Sequence, residues 1–210
     1  MAADQAAGLR RRQTARPARC LHLVSDSPDP ARRLVQALSR QGLNTLLVDA
    51  HGRHFGDAAR SLFDWRQQLA RRQLHLHAMP GGEGWHAPGV VAAELSPLAA
   101  RYDCLVFDHG SEGAGAAAQP SAGHVLALEV GWASLKAAYR LLKTRSHHGS
   151  ADEVVLFGEA AACARLEAAC RQFLDVAHAQ KIGSLAHEAD AFAALAVRMA
   201  DEETGPRAVA

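Results

Sequence analysis

Aromatic side chains make up only 5% of this chain, so its core has to be assembled from alanine, leucine and valine. Charge of one sign is lacking too. The formal net charge is +1, which leaves no global field to draw the molecule toward nucleic acid or an anionic membrane. No apolar run approaches the ~18 residues that span a bilayer. The opening residues lack the apolar stretch of a secretory signal, so a cytoplasmic location is expected. The four cysteines, Cys20, Cys104, Cys163 and Cys170, show neither CxxC spacing nor a disulfide framework. Each sits alone among apolar neighbours and is expected to be a small buried hydrophobe.

What the sequence does contain is an alternation of short apolar runs with helical stretches. Hydrophobic residues make up 49% of 210, enough for one full core. Strands are expected over Cys20–Ser25, Thr45–Val48, Gln73–Met79, Asp103–Phe107, His124–Val130 and Glu153–Gly158. Helices are expected over Ala31–Gln41, Ala58–Arg72, Val90–Ala100, Ser134–Arg145, Ala160–Phe173 and Glu188–Asp201. Gly42 stops the first of these, and Asp29 is expected to cap it with Pro30 at the first helical position. The pattern predicts an α/β fold, a mostly parallel sheet with helices on both faces. Three segments follow: an arm over 1–18, one domain over 19–203 and a flexible tail over 204–210.

In an open parallel sheet, ligands sit beyond the carboxyl ends of the strands. Three features gather there: the loop after the first strand, Asp49 after the second, and Asp108 after the strand near residue 105. A strand, a loop, a helix and two later strand-end aspartates resemble the layout of MinD/ParA-like (SIMIBI-class) P-loop NTPases over roughly residues 19–185. Val48–His51 (VDAH) resembles that family's aspartate motif, and Phe107–Gly110 (FDHG) its switch motif. The resemblance implies that Asp49 and Asp108 are relics of magnesium- and water-handling positions.

The first loop departs from the family. Where a KGGxGKT loop is expected, this chain has Ser25, Asp26, Ser27, Pro28, Asp29, Pro30, Ala31, Arg32 and Arg33. A phosphate loop needs glycines so that backbone N–H groups can wrap the anion, and a lysine to meet its charge. Here both are missing. The prolines remove N–H donors, and the aspartates repel phosphate. The Asp29 carboxylate is expected to take the positive helix end itself. Arg32 and Arg33 are the candidates to replace the lysine. No cofactor is therefore expected, with ATP and magnesium bound only if this loop has been rebuilt.

Asp4–Arg10 (DQAAGLR) resembles the DQAxxLR motif that opens FlhG (FleN/YlxH) proteins, MinD-like regulators of flagellar number and placement. Ser61–Gly82 and Ala164–Val176 resemble later stretches of the same family. The resemblance implies that the N-terminal helix binds FlhF, an SRP-type GTPase, and stimulates GTP hydrolysis through Asp4, Gln5, Leu9 and Arg10. Glutamine can orient an attacking water, and Gln5 and Leu9 share a helix face. The protein would then be a pseudo-ATPase regulator with no catalytic residues of its own, acting at the flagellated pole through its partner. Flagellar C-ring proteins or a flagellar transcription regulator are further partners the resemblance leaves open. The alternatives are an active MinD/ParA-like ATPase, or a scaffold that localises another cell-envelope machine.

The remaining constellations read as structural. His75 and His77 share a strand face without a carboxylate or cysteine at ligand spacing, and His51, His54, His147 and His148 are read as ordinary structural or surface residues. No metal site and no Ser-His-Asp motif is expected. The last helix carries Phe192, Leu195, Val197 and Met199, but acidic residues surround it. Such a helix is expected to pack on the core or on a partner rather than insert into a membrane.

Overall fold

The computed structural model describes residues 18–49, 53–54, 67, 71, 73–75, 102–111, 124–149, 153–185 and 191–200. Seven strands form one sheet: β1 (Arg19–Val24), β2 (Thr45–Asp49), β3 (Gln73–His75), β4 (Cys104–Asp108), β5 (His124–Val130), β6 (Glu153–Gly158) and β7 (Ile182–Ser184). Their spatial order is β3-β2-β4-β1-β5-β6-β7. Every pairing is parallel. Five helices accompany them among the described residues: α1 (Asp29–Arg40), α2 (Leu135–His147), α3 (Ala160–Phe173), α4 (Val176–Ala179) and α5 (Ala191–Ala200).

The strands read as continuous apolar runs because both of their faces are covered, as a parallel sheet requires. On one face α1 and α5 pack through Leu34, Leu38, Phe192, Leu195 and Met199 onto Leu21, Leu23, Val106 and Val155. On the other, α2 and α3 pack through Leu141, Leu142, Leu166 and Cys170 onto Leu126, Leu128, Val154 and Leu156. Alternate residues of one strand thus feed two separate cores. The last helix belongs to the first of them, with Phe192, Leu195 and Met199 buried and Val197 exposed.

Most expected elements are found with small shifts. Two corrections are informative. Asp29 does not cap α1: Pro28 occupies the cap position at φ −76°, ψ −9°, and no side-chain cap bond forms. The proline ring holds φ near the helical value, so the helix starts earlier, with Asp29 in its first turn and Pro30 following. Asp49 and Asp108 are the last residues of β2 and β4 rather than lying just beyond them, and they are paired in register. β7 and α4 were not expected from the sequence. Of the helix expected over Ala58–Arg72, only Gln67 and Arg71 are described, and the Arg71 N–H donates to the Gln67 carbonyl at 3.1 Å. The helix expected over Val90–Ala100, the arm with Asp4, Gln5, Leu9 and Arg10, and the tail lie outside the described residues.

The topology fixes where a ligand site belongs. From β1 the chain crosses to β2 on one side, whereas from β4 it crosses to β5 on the other side of β1. The direction of winding therefore reverses beyond β1 and β4, and a crevice opens there.

Candidate functional site: a cage around Arg53

Three loops meet at this reversal. They are held by a residue that no motif singles out. The Arg53 guanidinium, carried just beyond β2, reaches across β4 to the loop after β1. Its Nη1 donates to the Ser25 carbonyl at 2.9 Å. Its Nη2 lies within bonding distance of Ser25 Oγ at 3.2 Å and the Ser27 carbonyl at 3.0 Å. The same nitrogen meets both Asp108 oxygens, at 2.8 and 2.9 Å. Ser25 Oγ in turn donates to the Ser27 carbonyl at 2.8 Å, closing the loop on itself.

Each neighbouring group supports this contact. Asp49 is fully buried, and its two oxygens accept the backbone N–H groups of Arg53 and His54 at 3.0 and 2.8 Å. That fixes the turn from which Arg53 projects. His54 Nε2 donates to Asp108 Oδ2 at 2.6 Å, and the Gly110 N–H donates to Asp108 Oδ1 at 3.2 Å. Burial alone would raise the Asp108 pKa. The hydrogen bonds from His54 and Arg53, the Arg53 charge and the Gly110 N–H together outweigh it and hold the group below the ordinary carboxylate value. Asp108 is thus an anion whose acceptor capacity is already taken up.

Gly110 has φ +58°, and a Cβ there would lie 3.2 Å from Arg53 Nη1, 3.3 Å from Cζ and 3.4 Å from Nε. The guanidinium group therefore lies close against a glycine whose missing side chain leaves room for it.

The expected site residues divide into two groups. Ser25, Ser27, Asp49, Asp108 and Gly110 are brought together around Arg53. Asp26 is turned aside, its N–H donating to Glu129 Oε2 at 3.0 Å. Arg32 is exposed on α1. Arg33 lies over the Phe192 ring, 4.8 Å from its centroid. Asp29 and Arg33, with Glu129, Phe157 and Phe192, line a cavity of about 270 Å³ between α1, α5 and the ends of β5 and β6, which shares Ser27 with the cage. Arg53, not Arg32 or Arg33, is the cation of this loop.

Beside the cage, His22 Nδ1 lies 2.8 Å from His109 Nε2, and the His22 ring stacks on Phe107 at 4.9 Å. Burial pushes the Cys20 and Cys170 thiols up to about 11, and Cys104 further still. Among the described residues no cluster of His, Cys, Asp and Glu is arranged to hold a metal ion, and no helix is long and apolar enough to cross a membrane.

This arrangement is not that of a phosphate loop. A phosphate loop aims backbone N–H groups inward. Here the carbonyls of Ser25 and Ser27 face inward, and the Asp26 N–H is spent on Glu129. The loop's polarity is inverted: it receives a cation. No protein-family model matches the chain, and no curated protein matches it.

Proposed function

We propose that this chain is a MinD/ParA-like scaffold whose nucleotide site is filled by its own arginine, and that it regulates flagellar assembly without hydrolysing ATP. The observation that carries this reading is the inverted loop, whose carbonyls and Asp108 enclose the Arg53 guanidinium. An all-parallel sheet supports it, with the loop-bearing strand at its centre and an aspartate-ending neighbour on that strand's flank. The flagellar part rests on the resemblance of Asp4–Arg10 to the FlhG motif. In this reading the scaffold presents that segment to an SRP-type GTPase of the FlhF kind. Gln5 orients the attacking water and Leu9 anchors the helix, with Asp4 and Arg10 as the other members of the motif.

Two measurements test the reading. GTP turnover by the partner GTPase should rise with the wild-type chain and fall back to its basal rate with Gln5→Ala. Absence of stimulation by folded protein removes the activator role. Saturating Mg–ATP should leave the melting temperature unchanged. A ligand at a hundred times its Kd would raise it by about 5–10 °C, and a shift of that size would favour an active ATPase.

A further inference from the structure

The cage has a shape and a charge pattern that suit one chemical group. Five oxygen atoms converge on one guanidinium at 2.8–3.2 Å: the carbonyls of Ser25 and Ser27, Ser25 Oγ, and the two carboxylate oxygens of Asp108. Both terminal nitrogens are used. The group lies against the open side of Gly110, where a Cβ would approach it to 3.2 Å. Four of these oxygens surround Nη2, whose two N–H groups they share, and the fifth takes Nη1, while Nε is buried without a partner. An ammonium ion could meet the Nη2 oxygens but could not also reach the Nη1 position or lie flat along Gly110. The donor set also has a strong framework of its own. Ser25 Oγ is bonded to Ser27, Asp108 is held by His54 and Gly110, and β1 and β4 are paired in register beneath it.

We infer that the loop after β1 and the Asp108 end of β4 form a receptor for a guanidinium group, which Arg53 fills in cis and which a free guanidinium ligand can fill when Arg53 is removed. The inference rests on the cage geometry alone and stands whether or not the chain activates a GTPase. Ligand bound in the vacated receptor would again bridge the loop after β1 and Asp108 of β4. It would not restore the link to the loop after β2, which Arg53 makes through its own backbone.

The test uses the full chain. Arg53→Ala should lower the melting temperature by about 6–20 °C, because the buried Asp108 loses its main counter-charge. Methylguanidinium at ten times its Kd should then raise the melting temperature of Arg53→Ala by about 3–5 °C. It should leave the wild type and the double variant Arg53→Ala/Asp108→Asn unmoved, and methylammonium at the same concentration should have no effect. No rescue of Arg53→Ala, or equal shifts in all three proteins, overturns the proposal. If Arg53→Ala does not fold, side-chain nitrogen NMR of the wild type decides instead. Arg53 should show separate, slowly rotating Nη resonances, and a single averaged signal overturns the proposal. Neither readout involves GTP turnover, so failure here is distinguishable from failure of the regulatory reading.

Discussion

The carboxyl edge of the sheet has two halves, and they solve the same problem in opposite ways. Beyond β2, β4 and β1, polar groups are drawn inward and consumed by one another: Asp49 holds a turn, the turn projects Arg53, and Arg53 joins Asp108 to the first loop. Beyond β5 and β6, the chain leaves a cavity of about 270 Å³, with Asp29, Arg33 and Glu129 at its rim and Phe157 and Phe192 in its wall. The first half is closed by chemistry the molecule carries itself. In the second, Phe157 and Phe192 meet edge-on at 5.3 Å and belong to the core beneath. A strand-end crevice is therefore not in itself a ligand site. What decides is whether the polar groups that line it have already found one another.

Four measurements would break or sharpen this contrast. The largest effect is expected in the closed half. Asp108→Ala leaves Arg53 without its counter-ion and should cost about 3–5 kcal/mol, read as a lowered urea midpoint with an unchanged slope. A loss below about 1 kcal/mol would show that the cage is a surface ion pair only. On the border of the open half, Gly158 has φ +112°, and a Cβ there would meet the Val130 carbonyl at 2.6 Å. Gly158→Ala should cost about 2–3 kcal/mol by chemical denaturation, through backbone strain at the β5–β6 pairing.

A smaller difference should appear with pH. The Asp108 pKa is lowered in the folded state. Its contribution is therefore complete above the unfolded value of about 4 and is lost as the pH falls through the folded value. Wild-type stability should decline on acidification through that range more steeply than that of Asp108→Asn, followed by the urea midpoint at each pH. Parallel curves would remove Asp108 as a source of acid sensitivity. The smallest effect belongs to Arg33. Its contact with Phe192 is near the surface, so Arg33→Ala should change stability by about 0.5–1 kcal/mol. A loss as large as that of Asp108→Ala would mean that the two halves are equally tied.

The sequence carried the sheet and half of the cage. β1, β2, β4, β5 and β6 are legible because strands buried on both faces write themselves as unbroken apolar runs. Asp49 and Asp108 stand out as acids ending such runs, and the missing glycines of the first loop are plain to read. Arg53 is not legible. It lies 28 residues from Ser25 and 55 from Asp108, so its role exists only once the sheet has folded. His54, read as an ordinary structural histidine, has such a role in bonding Asp108. Asp29 was expected as a cap because its residue type suits that position. The preceding proline, whose fixed φ already fits the helix, took the place instead. β7 is three residues long and contains Gly183, too short to show any period.

At the opposite edge of the sheet, Arg19 Nη1 donates to the carbonyl of Met199, and Arg198 pairs with Glu153. The start of β1 and the end of α5 thus meet at one pole of the described residues. β1 separates that pole from the cage by six residues, a rigid rod of about 20 Å. β1, bonded on both sides to β4 and β5, is the direct covalent path along which a change in the first loop would reach this pole.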